Sequence, residues 1–238
     1  MLAQVKTPRR AVSLIGAPTD IGAGHRGASM GPEALRVAGL PKALADRGLD
    51  VIDRGNLSGP VNPWQPPQDG YRHLAQVVAW NRSVFEAVDR ELADDRLPIL
   101  LGGDHCLALG SIAAISEHCR ERGKTLRVLW LDAHADFNTA TITPSGNIHG
   151  MPVACLFGRG PKELVEIAGR HPLLDASQIK QIGIRSVDPG PISTGPLIVT
   201  FVRITSVAWP VIESGPSSTG PSIHESARIT GRRRKSGR

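Results

Sequence analysis

A length of 238 residues suits one large domain with a substantial core, and with aromatics at only 4% the aliphatic side chains and alanine must fill it. The net charge of +6 does not mark a nucleic-acid-binding body: residues 192–238 hold seven Lys/Arg against two Glu, which leaves the first 191 residues nearly neutral. No apolar run approaches the ~20 residues of a membrane span, and the basic residues 1–10 lack the apolar stretch of a secretory signal.

In chain order, residues 12–17 (VSLIGA) form a short apolar run closed by Gly and Pro, the pattern of a buried strand. A Gly-rich loop follows over 22–31, and Pro32 opens a helix with Leu35, Ala38 and Leu40 on its apolar face. Residues 49–53 (LDVID) predict a second strand, and 56–70 a loop rich in Pro and Gly. The clearest helix is 71–95, where Leu74, Val77, Val78, Phe85, Val88 and Leu92 recur at helical spacing. A strand at 98–101, a helix over 107–122 and a strand at 127–131 (RVLWL) come next. A helix over 161–170 and a strand at 179–184 complete the pattern. Strands alternating with helices predict an α/β fold with a mostly parallel sheet. Ligands of such sheets bind beyond the carboxyl ends of the strands, which is where the polar clusters fall.

The first cluster is Gly102-Gly103-Asp104-His105, and the second is Asp132-Ala-His134-Ala-Asp136. By itself the first reads as a turn with an Asp helix cap, and the second as a solvated strand end. Together they read differently. If the segment after RVLWL stays extended, Asp132, His134 and Asp136 project from one face, about 6–7 Å apart at the backbone. Two carboxylates and an imidazole so placed call for a cation, and His105 adds a second imidazole from another strand end. A carboxylate-rich set with some imidazole and no thiolate suits Mn²⁺ better than structural zinc. Cys106, Cys119 and Cys155 are widely spaced and odd in number, which predicts reduced thiols and a cytoplasmic protein.

These two clusters, with Asn138 after the second and Ser145-Gly-Asn147-Ile-His149-Gly-Met-Pro beyond it, resemble the successive signatures of the ureohydrolase family. Residues 16–40 and 182–190 are similar to that family as well. Asn138 and the Ser-Gly-Asn-x-His-Gly segment place the resemblance with arginases rather than agmatinases. It covers about four-fifths of the chain and implies a three-layer α/β/α fold over residues 1–191. It implies two Mn²⁺ per subunit, one held by His105, Asp132 and Asp136, the other by His134 with Asp132 bridging. Asn138, Thr143, Ser145 and Asn147 would hold the carboxylate of L-arginine, Asp188 would receive its α-amino group, and His149 would shuttle protons. The reaction implied is hydrolysis of L-arginine to L-ornithine and urea by a metal-bridging hydroxide, in a homotrimer or hexamer.

The resemblance stops near residue 190. Family members carry a later Asp-x-Asp ligand cluster, whereas residues 192–238 contain no Asp and end in a basic stretch at Arg232–Lys235. That segment is expected to be a divergent, poorly ordered basic tail, and the α/β domain before it to be incomplete. Three origins stay open: an out-of-frame translation, which the sharp break favours, a genuine replacement, or a distant homologous continuation. The second metal position is expected to be the weaker one. Two further readings remain beside arginase: a ureohydrolase of another guanidino compound such as agmatine, and a catalytically incomplete remnant that binds intact subunits. A short basic terminus is more often a solvated tail than a nucleic-acid site.

Overall fold

The computed structural model describes residues 11–186; Asp188 and the expected tail at 192–238 lie outside the described residues. Strand β1 (Ala11–Ala17) is buried along nearly its whole length, as an apolar run with no charge requires. It lies between β2 (Asp50–Asn56) and β3 (Leu97–Gly102), parallel to both. Its alternate side chains feed two cores. Val12 and Leu14 meet Leu101, Leu40 and Leu44 on one face, and Ile15 and Ala17 join the larger cluster on the other. The period of two thus makes three layers, with helices on both faces of the sheet.

The larger core is covered by α3 (Leu74–Ala93) and α4 (Ala108–Glu121). Val77, Val78, Val84 and Val88 are buried at the expected helical spacing, and Leu74, Phe85 and Leu92 pack at its margin. Each such aliphatic side chain contributes about 1.5–3 kcal/mol by leaving water. The predicted start at residue 71 moves to 74 because Tyr71 pairs with Gln68 in a turn and His73 takes a left-handed conformation.

Other expectations are corrected. The helix opened by Pro32 is α1 (Gly31–Val37), and Gly39 at φ +83° separates it from α2 (Leu40–Ala45). Leu35 and Ala38 therefore stay exposed, and only Leu40 of the predicted face reaches a core. The helix predicted over 161–170 shrinks to the single turn α6 (Lys162–Val165). The chain turns back there, and the N–H groups of Leu173 and Leu174 bond to the carbonyl of Leu156, which buries both leucines. That carbonyl closes α5 (Pro152–Leu156), a five-residue buried helix that sequence periodicity is too short to reveal.

Strands β4 (Val128–Leu131) and β5 (Ile179–Ile182) pair in parallel as a second sheet, in register from Val128↔Ile179 to Leu131↔Ile182. Trp130 is buried, whereas Leu129 and Leu131 on the opposite face are 65% and 72% exposed. The expected parallel pairing is present, divided between two sheets among the described residues. Every strand pair in them is parallel, and the polar clusters that follow β3 and β4 come together, with His105 in contact with Asp132. No helix among the described residues is long and apolar enough to cross a membrane.

Candidate metal centre

The peptide leaving β3 is forced into close contact with β1. A Cβ on Gly103 would lie 2.5 Å from the Thr19 carbonyl oxygen and 2.6 Å from that of Ala17, so only glycine fits. The backbone N–H of Asp104 bonds to the Thr19 carbonyl at 3.0 Å. Asp104 then acts as a cap: its Oδ1 accepts the N–H of Cys106 (2.9 Å) and its Oδ2 that of Gly22 (2.8 Å). The cap reading of Gly-Gly-Asp-His is therefore correct for Asp104, and it is what fixes the next residue, His105. The His105 ring stacks on Trp130, with centroids 4.3 Å apart and planes 21° from parallel.

His105 Nδ1 lies 2.9 Å from Asp132 Oδ2 and 2.9 Å from Asp136 Oδ2. One ring nitrogen cannot direct a proton at two acceptors, and Asp136 Oδ2 remains a buried acceptor without a well-directed hydrogen bond among the described residues. The three side chains offer ligand atoms all within 4.8 Å of one another. Burial pulls the His105 pKa down, but contact with Asp136, and then the charges of Asp132 and Asp104, outweigh it and hold it above the ordinary imidazole range. These donors fit a divalent cation. An octahedral cation with bonds of about 2.1 Å keeps neighbouring donors about 3 Å apart, and it would satisfy the orphaned oxygen.

The carboxylates converge by a route that alternation along an extended segment does not provide. Beyond Leu131 the chain leaves β4, and Asp136 turns it with φ +49°. A left-handed non-glycine residue costs about 1 kcal/mol, and neighbouring hydrogen bonds impose it. The Asp136 carbonyl accepts from Val153 and Ala154 at the start of α5, Gln181 Nε2 donates to the Ala135 carbonyl at 2.7 Å, and Arg185 N donates to that of Ala133 at 2.7 Å. His134 stands apart from the compact cluster. Its side chain is 68% exposed, and its Nδ1 is 3.4 Å from Asp132 Oδ1, the oxygen that also accepts the His134 backbone N–H. Asp132 thus faces His105 with one oxygen and His134 with the other.

The remaining predicted residues lie on one folded loop. Thr143 Oγ1 accepts from the N–H groups of Ser145 and Gly146, and Ser145 Oγ from that of Asn147. A hydroxyl used as an acceptor keeps its own hydrogen to donate outward. Asn147 rests against Gly24 of the Gly-rich loop, and its buried Oδ1 has no hydrogen-bond partner among the described residues. Asn138 donates its backbone N–H to the Gly150 carbonyl (3.0 Å), and His149 donates its own to the Gly22 carbonyl (3.2 Å). The His149 ring makes no hydrogen bond or ion pair among the described residues. Trp130 is a supporting residue that a search for ligand types passes over. The alternation of RVLWL, with one aromatic facing opposite to its leucine neighbours, is the signal for it.

The model of the Arginase family matches residues 10–207. The chain belongs to the arginase family. It is 39% identical over 187 residues to an arginase of Staphylococcus aureus, covering 77% of this chain and 60% of that protein. The crystal structure of the Bacillus caldovelox arginase superposes with a TM-score of 0.70 at 38% identity, over 75% of this chain and 59% of that one. The Entamoeba histolytica arginase, solved in complex with L-ornithine, superposes with a TM-score of 0.69 at 31% identity. The arginase-like α/β fold is thereby shown. The chain spans about 60% of the length of the curated arginases it matches.

Proposed function

We propose that this arginase-family chain is a manganese hydrolase that converts L-arginine to L-ornithine and urea. The observation that carries the proposal is the convergence of His105, Asp132 and Asp136 around one buried, unsatisfied carboxylate oxygen. These three residues would hold one Mn²⁺, and His134 with the second oxygen of Asp132 would hold the other. Bound there, manganese would supply Lewis acidity and lower the pKa of bound water, so that hydroxide is available near neutral pH. The hydroxyls of Thr143 and Ser145, with Asn138 and Asn147, would orient the carboxylate of arginine, and Asp188 would take its α-amino group. His149 is the residue proposed to deliver a proton to the departing amine, a task that imidazole suits near neutral pH. The solved relative that holds L-ornithine supports an amino-acid substrate. We further propose that the protein works as a homotrimer or hexamer in the cytoplasm, in line with its family resemblance.

The first test counts bound metal per chain while measuring urea release from arginine and from agmatine, with Asp136→Asn alongside. The described residues give one position three donors and the other two, so one Mn²⁺ should bind well before a second. Urea should come from arginine in preference to agmatine, and D136N should lose both metal and activity. Metal binding no better than in D136N would overturn the metal assignment. Urea from agmatine alone would overturn the substrate assignment.

A further inference from the structure

A cavity of about 380 Å³ opens beyond the carboxyl end of β1, on residues that neither the metal cluster nor the proposed substrate set uses. Its buried side is formed by Thr19, Asp20 and Trp80, and its outer side by Asn62, Trp64 and Arg26. Asp20 is only 8% exposed. Its Oδ2 accepts from the Gly27 N–H and the Ser29 hydroxyl, both at 3.2 Å, while its Oδ1 has no hydrogen-bond partner among the described residues. That second oxygen is free to accept a donor from a ligand or from water.

Arg26 lines the same cavity and is not that donor, since no guanidinium nitrogen of it lies within 4.0 Å of the Asp20 carboxylate. Its guanidinium sits over the Trp64 ring, with Cζ 5.0 Å from the centroid. This cation–π contact leaves its fork of N–H groups uncommitted to any acceptor among the described residues. The walls are tied down: the Trp64 backbone N–H donates to Asn62 Oδ1, Asn62 Nδ2 to the Asp20 backbone carbonyl, and Trp80 Nε1 to the Pro60 carbonyl. The cavity therefore presents an open carboxylate oxygen, a guanidinium over an indole and a second indole, with the two charges not paired to each other. A simple cation would meet Arg26 and a simple anion would meet Asp20. A ligand with both charges satisfies both.

We propose that this cavity binds a free α-amino acid, its ammonium on Asp20 Oδ1, its carboxylate on Arg26 and its side chain against Trp64 and Trp80. The volume lies in the range of small-molecule sites, roughly 300–1,000 Å³. The site is independent of the catalytic reading.

The test titrates the metal-free full chain with L-leucine, and in parallel with 4-methylpentanoate and isoamylamine, which lack its amine and its carboxylate. Tryptophan fluorescence and calorimetry report binding. L-leucine should bind at least about tenfold more tightly than either analogue, because each lacks one charge-assisted contact. Arg26→Gln should abolish the preference over isoamylamine, and Asp20→Asn the preference over 4-methylpentanoate. Asp20 also holds Gly27 and Ser29, so if D20N unfolds, R26Q and Trp64→Leu, both at exposed positions, carry the test. Equal affinity for all three probes, leucine binding untouched by R26Q and W64L, or no saturable signal would each overturn the proposal.

Discussion

Asp136 joins two demands at one residue. It supplies a carboxylate to the cluster, and its φ of +49° turns the chain so that the carboxylate arrives there. Only residues tolerant of the left-handed region suit it, and Asp is among the more tolerant. Two substitutions separate these roles. Asp136→Gly and Asp136→Ala both remove the carboxylate, but Ala adds a Cβ clash. Glycine should therefore be the more stable variant by about 1 kcal/mol in chelator-treated protein. Urea unfolding of the two side by side would show it, and equal midpoints would mean that the backbone relaxes at this position. Cys106 and Cys155 illustrate the opposite case, in which a reactive residue type is silenced. Both are buried, and burial raises the Cys155 thiol to about 12 and that of Cys106 well above its usual range.

At the scale of elements, α4 is fastened to the segment that follows α6 by a charged cluster. Glu117 accepts from Arg120 on its own helix and from Arg170, whose Nε lies 3.1 Å from Oε2. Hydrogen bonding to Arg120 outweighs burial, and with Arg170 it pulls the Glu117 carboxyl down from 4.5 to about 2. A carboxyl depressed by folding stabilises the fold above its ordinary pKa and loses that contribution as pH falls toward the folded value. Glu117→Gln should thus lower the unfolding midpoint at pH 6, and the gap from the parent should narrow between pH 4.5 and 2. A gap unchanged across that window would show that the Glu117 charge is not what fastens the elements. The same scale explains the shortened α6. Its periodicity continues on paper, but Leu173 and Leu174 are buried only if the chain turns back first.

For the whole molecule, the metal cluster is the meeting point of two sheets. His105 follows β3 of the first sheet, and Asp132 and Asp136 follow β4 of the second. A cation there would bind the folded chain and not the unfolded one. It should add about 2.7 kcal/mol of stability at a free concentration one hundred times its dissociation constant. Thermal unfolding with and without Mn²⁺ would register this as a rise in midpoint that chelator reverses and D136N lacks. No rise in the parent chain would mean that the two strand ends do not share a cation.

The order of strands and helices, the buried strand β1, the long helix α3 and the two polar clusters were legible in the linear chain. Each depends on a short-range period or on a motif contiguous in sequence. The family was legible for the same reason. Other features were decided only by the tertiary structure. The ring of Trp130 behind His105, the turn at Asp136, the exposure of His134 and the cavity at Asp20 and Arg26 all depend on segments far apart in the chain. Local propensity carries no record of which distant carbonyl, indole or carboxylate a residue will meet, and those meetings set where the charges converge.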